Sequence, residues 1–118
     1  MNNNHSLAKA NEFAKAALQQ HVEIEKGNSA GANRAFDTMK DLYRSMADDI
    51  ERTTILVSLC KHPHAAVRSW AATPLLFFDP KTALATLKPL RREPGIIGFE
   101  VDMVLHEWRR GKLGNPFT

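Results

Sequence analysis

The residues whose types and spacing could hold a metal ion are Cys60, His62 and His64. A thiolate and two imidazoles are ligands that zinc accepts, and a turn could direct all three at one ion. The sequence offers no evident fourth ligand, however. Histidines beside Pro63, which can start a helix, are explained equally well as capping or exposed turn residues. We therefore expect neither a metal nor another cofactor.

The remaining signals of catalysis are incomplete. His106-Glu107 begins like a zinc-protease motif, but Arg110 stands where the second histidine should be, so the motif is excluded. A catalytic Cys60 would need a histidine and an orienting carboxylate beside it. Cys60 instead falls on the apolar stripe of a predicted helix, where an inert thiol is expected. With no glycine-rich phosphate loop either, we expect a protein that is not an enzyme.

Charge is distributed unevenly along the chain, although its total is only +3. An acidic stretch over residues 37–51 is either a solvated helix face or a surface that steers and plugs a basic partner, such as a nuclease. We favour the second interpretation. The predicted partner-binding residues are Asp37, Asp41, Arg44, Asp48, Asp49 and Glu51.

The C-terminal third is basic and could contact phosphates, provided that the ends of the last two helices lie near each other. Cations at helix C-termini also complement the helix dipole, and no aromatic residues suited to stacking bases are interleaved with them. Nucleic acid is therefore the less favoured partner. The residues of this alternative are Arg91, Arg92, Arg109, Arg110 and Lys112.

Helices must position these side chains, because apolar residues recur at three- and four-residue spacing along most of the chain. Residues 53–57 are rich in β-branched side chains that would also suit a strand, but no partner strand is visible. We predict helices over 6–26 and 29–46, one capped by Asp48 or Asp49 that reaches Cys60, one over 63–74, one opened by Asp79-Pro80, and one from 97 to about 111. Residues 114–118 are predicted to be a loose tail.

The chain is predicted to be organised around residues 60–73. There Pro63 would begin a helix with His62 near its cap, and Pro74 would kink or end it. We expect Trp70 and Trp108 to be buried anchors of the packed helices. Among the other residues predicted on apolar faces are Leu7, Ala10, Ala14, Leu18, Val22, Ile50, Ile55, Leu56 and Leu59.

Length and composition set broad limits. A chain of 118 residues, 43% hydrophobic and 25% charged, is expected to form one globular domain with its own core. No apolar run approaches the roughly twenty residues of a membrane span, and the N-terminus does not encode export. The single cysteine cannot form an internal disulfide. We therefore expect a cytoplasmic protein that is a monomer on its own.

The string from His62-Pro63 through Val67-Arg68 to Ala71-Ala72 resembles the signature of HEAT repeats. Nearly the whole chain resembles a small bacterial family of unknown function with HEAT-like repeats. The segments that carry this resemblance are Gly27-Asn28, Ala32-Asn33-Arg34, the central string, Asp79-Pro80 with Ala83, and Gly98-Phe99 through Met103 to Glu107-Trp108-Arg109-Arg110.

The expected fold is all-α, with about six helices whose antiparallel pairs stack into a short right-handed α-α superhelix, a HEAT-like solenoid over residues 1–118. Small solenoid families of this kind occur beside bacterial toxin genes. The resemblance therefore implies an immunity protein that binds a cognate protein toxin and occludes its active site. The alternative is a nucleic-acid-associated helical adaptor.

Overall fold

In a computed structural model, which describes residues 3–118 and the side chains from His5 onward, this part of the chain forms six helices and no strand. The all-α class predicted from the sequence is confirmed. The helices are α1 (Asn3–Glu25), α2 (Ser29–Ser45), α3 (Asp49–Leu59), α4 (Ala65–Leu75), α5 (Pro80–Leu90) and α6 (Ile96–Arg109).

Short polar side chains fix three of the helix starts. Asn28, Asp48 and Asp79 each precede a helix and accept a hydrogen bond from the backbone N–H three residues further on. Such caps satisfy donors that the first helical turn leaves unpaired. Gly27 and Gly111 follow the ends of α1 and α6 with φ angles of +74° and +69°, which glycine adopts without steric cost.

Helix α4 begins two residues later than predicted. We expected its first turn at Pro63 with His62 near the cap, but His64 is the N-cap, and its Nδ1 accepts the N–H of Ala66 at 3.1 Å. Pro63 lies in the preceding turn, where its missing N–H is also harmless. The other end agrees with the prediction, because the helix stops one residue after Pro74.

The helix at the centre of the packing is α4, which contacts α1, α3, α5 and α6. Its side chains Val67, Ala71, Ala72 and Leu75 are completely buried. Small residues on this helix allow its neighbours to approach closely. The radius of gyration is 13.4 Å, as expected for a compact globule of this length, about 13 Å. The helical part of the stretch predicted to organise the chain, from Ala65 onward, therefore lies in the middle of the core, whereas Lys61, Pro63 and His64 before it are exposed.

Several predicted core residues are more exposed than expected. Trp70 and Trp108 are only partly buried at the edge of the core, and Leu7 and Val22 are 60% and 40% exposed. Ile50 is 77% exposed. It precedes the buried Leu59 by nine residues, which at about 100° per residue places it on the opposite side of α3. The sequence pattern therefore assigned Ile50 to the wrong face.

The segment after α6, residues 112–118, is called the tail segment below. Its last five residues were predicted to be loose, and that prediction is wrong for Phe117, which is completely buried. The ring of Phe117 lies 5.4–5.9 Å, between centroids, from the rings of Phe13, Phe36, Tyr43 and Trp70. These contacts join α1, α2 and α4 through a single side chain.

Two polar contacts hold the tail segment against α2. The side-chain amide of Asn115 donates to the hydroxyl oxygen of Tyr43 at 3.1 Å, and Nε of Arg44 donates to the carbonyl oxygen of Phe117 at 3.3 Å. Asn115 also accepts the backbone N–H of Phe117 on its side-chain oxygen, which closes a turn. The tail segment is thus fixed against one side of α2.

Candidate partner-binding surface

The six predicted partner-binding residues are called the α2–α3 corner. The structure places Asp37, Asp41 and Arg44 on α2, Asp48 at the N-cap of α3, and Asp49 and Glu51 in the first turn of α3. All are exposed except Glu51, which is partly buried. Their side chains differ in what they contact, so the corner consists of two parts.

The first part is the outer face of α2. Asp37 and Asp41 lie one turn apart on the side away from the buried Met39, and neither carboxylate has a hydrogen-bond or ion-pair partner within residues 5–118. Arg44 and Lys40 lie on the same helix. The outer face of α2 therefore has mixed charge and is less acidic than the sequence stretch suggested.

The second part is the junction between α2 and α3, where the carboxylates contact the backbone or a neighbouring side chain of α3. Oδ1 of Asp48 accepts the N–H of Glu51 at 2.8 Å as the cap of α3. Asp49 pairs with Nη1 of Arg52 at 3.0 Å within the helix. Acidic residues in a first turn also interact favourably with the positive end of the helix dipole. These contacts bind the carboxylates of Asp48 and Asp49 to the first turn of α3.

Glu51 links α3 to α1. Its carboxylate accepts hydrogen bonds from Lys9 Nζ at 2.8 Å, from the backbone N–H of Ala47 at 2.9 Å and from Ser6 Oγ at 3.1 Å. The hydrogen bond from Lys9, followed by that from Ala47, lowers the pKa of Glu51 to about 2 even though partial burial opposes the shift. Glu51 is therefore a structural carboxylate, and its charge is already compensated.

Ile50 is the residue of this surface that sequence reasoning missed. It is exposed in the first turn of α3, between Asp49 and Glu51 in sequence. Single exposed apolar residues are common on proteins, so its importance depends on its position among carboxylates. An apolar side chain ringed by polar groups can act as an interface anchor, although such anchors are most often Trp, Tyr or Arg. Its helical phase relative to Leu59 was the signal that could have identified it.

The residues considered as metal ligands or as a nucleophile make contacts that stabilise the fold or are partly buried. Nδ1 of His62 accepts the N–H of His64 at 3.0 Å, and Nδ1 of His64 accepts the N–H of Ala66. Burial raises the pKa of the Cys60 thiol, which reduces the thiolate that a nucleophile would need. Within the described part of the chain, no group of three histidine, cysteine or carboxylate residues could hold a metal ion.

The basic residues of the alternative prediction are divided between the two ends of the α5–α6 hairpin. α5 and α6 are joined by a short connection, and Phe77, just before α5, contacts Trp108 near the end of α6. The C-terminus of α5 with Arg91 therefore lies at one end of this hairpin and the C-terminus of α6 with Arg109 at the other, separated by a helix about 21 Å long. Arg91 is also paired with Asp102 at 3.2 Å. The expectation that these helix ends lie near each other is wrong.

A second exposed apolar surface follows the outer face of α6. Ile96, Phe99 and Met103 are 36%, 63% and 52% exposed and share one face by their three- and four-residue spacing. This outer stripe of α6 lies opposite the buried Val101 and Leu105. It is a second surface on which a protein partner could pack.

A groove of about 440 Å³ runs between α1 and α2. The Glu23 carboxylate is buried in it and accepts hydrogen bonds from the side-chain amides of Gln19 and Asn28. Gly31 lies beside it, and a Cβ at that position would force the side chains of Glu23 and Asn28 to shift. Since these contacts join the end of α1 to the start of α2, we assign the buried carboxylate a structural role.

Comparison of the chain with known proteins gives no match to a family model, to a curated protein or to a solved structure. Within residues 3–118, none of the helices combines the length and the apolar character that crossing a membrane would require. The resemblance to a small bacterial family of unknown function with HEAT-like repeats stays a prediction, and so does the immunity role that it implies.

Proposed function

We propose that the protein is a small helical binding module that acts as an immunity protein, neutralising a partner toxin by covering the toxin's active site. The observation that carries this proposal is Ile50, which is 77% exposed at the start of α3, beside the corner whose carboxylates without a described partner are those of Asp37 and Asp41. An apolar anchor among carboxylates is complementary to a partner with an apolar contact point inside a basic rim. A nuclease has a basic active site because it must attract phosphates.

The corner residues would have different parts in such a complex. Asp37 and Asp41, which have no described partner, would attract a basic surface during approach. On contact, the Ile50 side chain would be excluded from water and would contribute a large share of the binding free energy. Asp48 is held in place as a helix cap, so little conformational freedom would be lost when the junction binds.

The proposed function includes the finer fold assignment. In it, α1 and α2, α3 and α4, and α5 and α6 form antiparallel pairs that stack as a short right-handed HEAT-like superhelix over residues 1–118 as one domain. Contacts of α1 with α3 and of α4 with α6 support this stacking, because they join equivalent members of successive pairs. The module itself performs no chemistry in this proposal.

The test is co-expression with the protein encoded by the adjacent reading frame, measured as cell survival. We expect survival with the wild-type protein and its loss with Ile50→Ser, which should weaken purified complex formation by about tenfold to a hundredfold because an anchor is truncated. Ile50 is exposed, so thermal unfolding should change little.

The matched control is Phe99→Ser, which truncates an exposed apolar side chain of the outer stripe of α6. It should protect cells as well as wild type. If Phe99→Ser abolishes protection and Ile50→Ser retains it, the interface lies on α6 and the proposed corner is wrong. If the adjacent frame encodes no toxic protein that this chain binds, the immunity proposal itself is wrong.

A further inference from the structure

The N-terminal turn of α4 is capped by imidazole nitrogens. Nδ1 of His64 accepts the N–H of Ala66 at 3.1 Å, and Nδ1 of His62 accepts the N–H of His64 at 3.0 Å. A ring nitrogen can accept a hydrogen bond only while it carries no proton. The cap of α4 therefore requires His64 to be neutral at Nδ1, whereas the caps of α2, α3 and α5 use amide or carboxylate oxygens.

The surroundings of His64 disfavour a positive charge. The His21 ring on α1 lies edge-on to it, with 5.6 Å between ring centroids. On α4, Nη1 of Arg68 donates to the carbonyl oxygen of His62 at 2.8 Å. The only described carboxylate that acts on His64 is Glu25 of α1, which already lies 3.1 Å from Nε2 of His21. The positive end of the α4 dipole adds to this unfavourable field.

We propose that protonation of His64 uncaps α4 and separates its first turn from α1, which makes the α1–α4 junction a pH-sensitive switch. A protonated His64 loses the hydrogen bond from Ala66 and places a cation between His21 and Arg68. Because α4 contacts four other helices, the first turn cannot loosen without affecting the centre of the core.

The direction of the effect follows from the titration of His64. His64 is largely exposed, but desolvation of its ring, then His21, His62 and Arg68, lower its pKa, and Glu25 opposes them only weakly. A histidine whose pKa is lower in the folded than in the unfolded state stabilises the fold in its neutral form. This contribution is complete above the ordinary histidine value of about 6.5 and is lost as the pH falls through the depressed pKa of His64.

The experiment compares thermal unfolding at about pH 7.5 and about pH 5, on either side of histidine titration. The wild-type Tm should fall by about 4 °C, as expected when one helix cap is lost in a chain of this size. In His64→Asn the side-chain oxygen can still cap but does not titrate, so its Tm should stay nearly constant. The control His106→Asn, at an exposed position of α6, should show the wild-type fall.

A local measurement separates this switch from general acid destabilisation. The Ala66 amide, corrected for intrinsic exchange, should lose hydrogen-exchange protection in wild type at about pH 5 and keep it in His64→Asn. Should His64→Asn fold poorly, His64→Asp provides another non-titrating cap in this range. A capped variant that still shows the wild-type fall in Tm, or wild-type Ala66 protection that does not change with pH, would overturn the proposal.

Discussion

The tail segment and the α2–α3 corner involve two faces of helix α2 that differ in their contacts. On the inner face of α2, Phe117 of the tail segment is buried against Phe36 and Tyr43. On the outer face, Asp37 and Asp41 extend into solvent without a described partner. The inner contacts depend on close packing and stabilise the fold, whereas exposed charges contribute little to stability and can serve a partner. Under the proposed function, stability and recognition therefore depend on different faces of one helix.

The largest effect that this comparison predicts is on stability, from Phe117→Ala. Removing a completely buried ring that contacts four other aromatic rings should lower the free energy of unfolding by about 3–5 kcal/mol. Urea denaturation followed by circular dichroism measures it. Phe99→Ala is the control, since its ring is 63% exposed and its loss should cost less than about 1 kcal/mol. Equal effects of the two substitutions would show that the tail segment is not docked in solution.

A smaller loss of stability is expected within the corner itself, from Glu51→Gln. The amide cannot replace the charged contact with Lys9, so unfolding should become easier by about 1–2 kcal/mol near neutral pH. Because the pKa of Glu51 is lowered to about 2, its contribution is present above the ordinary value of about 4.3 and is lost as the pH falls towards 2.

Acid titration of stability tests this assignment. The wild-type protein should lose the Glu51 contribution between about pH 4 and pH 2, and Glu51→Gln should show a shallower fall over that range. Asp49→Asn is the matched control, because the Asp49 side chain is 73% exposed and its pair with Arg52 should be worth less than about 0.5 kcal/mol. An unchanged acid profile in Glu51→Gln would contradict the structural role of this carboxylate.

The helices could be predicted because their causes are local. Apolar spacing and start signals such as Asp79-Pro80 act within a few residues, and the six predicted elements correspond to the six observed ones. The cap by His64 was missed because imidazoles are uncommon caps. The sequence offered Pro63 as the stronger start signal.

The position of Phe117 has no local cause. It is a single aromatic residue after glycine, asparagine and proline, and its ring partners lie 47 to 104 positions earlier in the chain. The corner shows the same limitation, since Lys9 is 42 residues from the glutamate that it holds. Sequence reasoning located the acidic residues, but only the packing of α1 against α3 shows which of them are already compensated.

The smallest expected effect on stability is that of Asp37→Asn with Asp41→Asn, which tests whether the outer face of α2 serves recognition. Neither side chain has a described partner, so the free energy of unfolding should change by less than about 0.5 kcal/mol. Association with a basic toxin should nevertheless slow by several-fold at low ionic strength, and the difference should shrink as salt screens the charges. Stopped-flow measurement of association with the purified toxin at two salt concentrations gives the change in rate and its dependence on salt.

Charge variants of α2 and of the end of α5 test the direction of this change in association rate. Arg34→Gln with Lys40→Gln removes cations from α2 and should accelerate association with a basic partner, because the steering field becomes more negative. Arg91→Gln with Arg92→Gln removes cations at the end of α5, outside the proposed corner, and should have little influence. If the Arg91 and Arg92 variant slows association while the Asp37 and Asp41 variant does not, the partner surface is acidic. Recognition would then occur at the end of α5. The outer face of α2 would have no part in it.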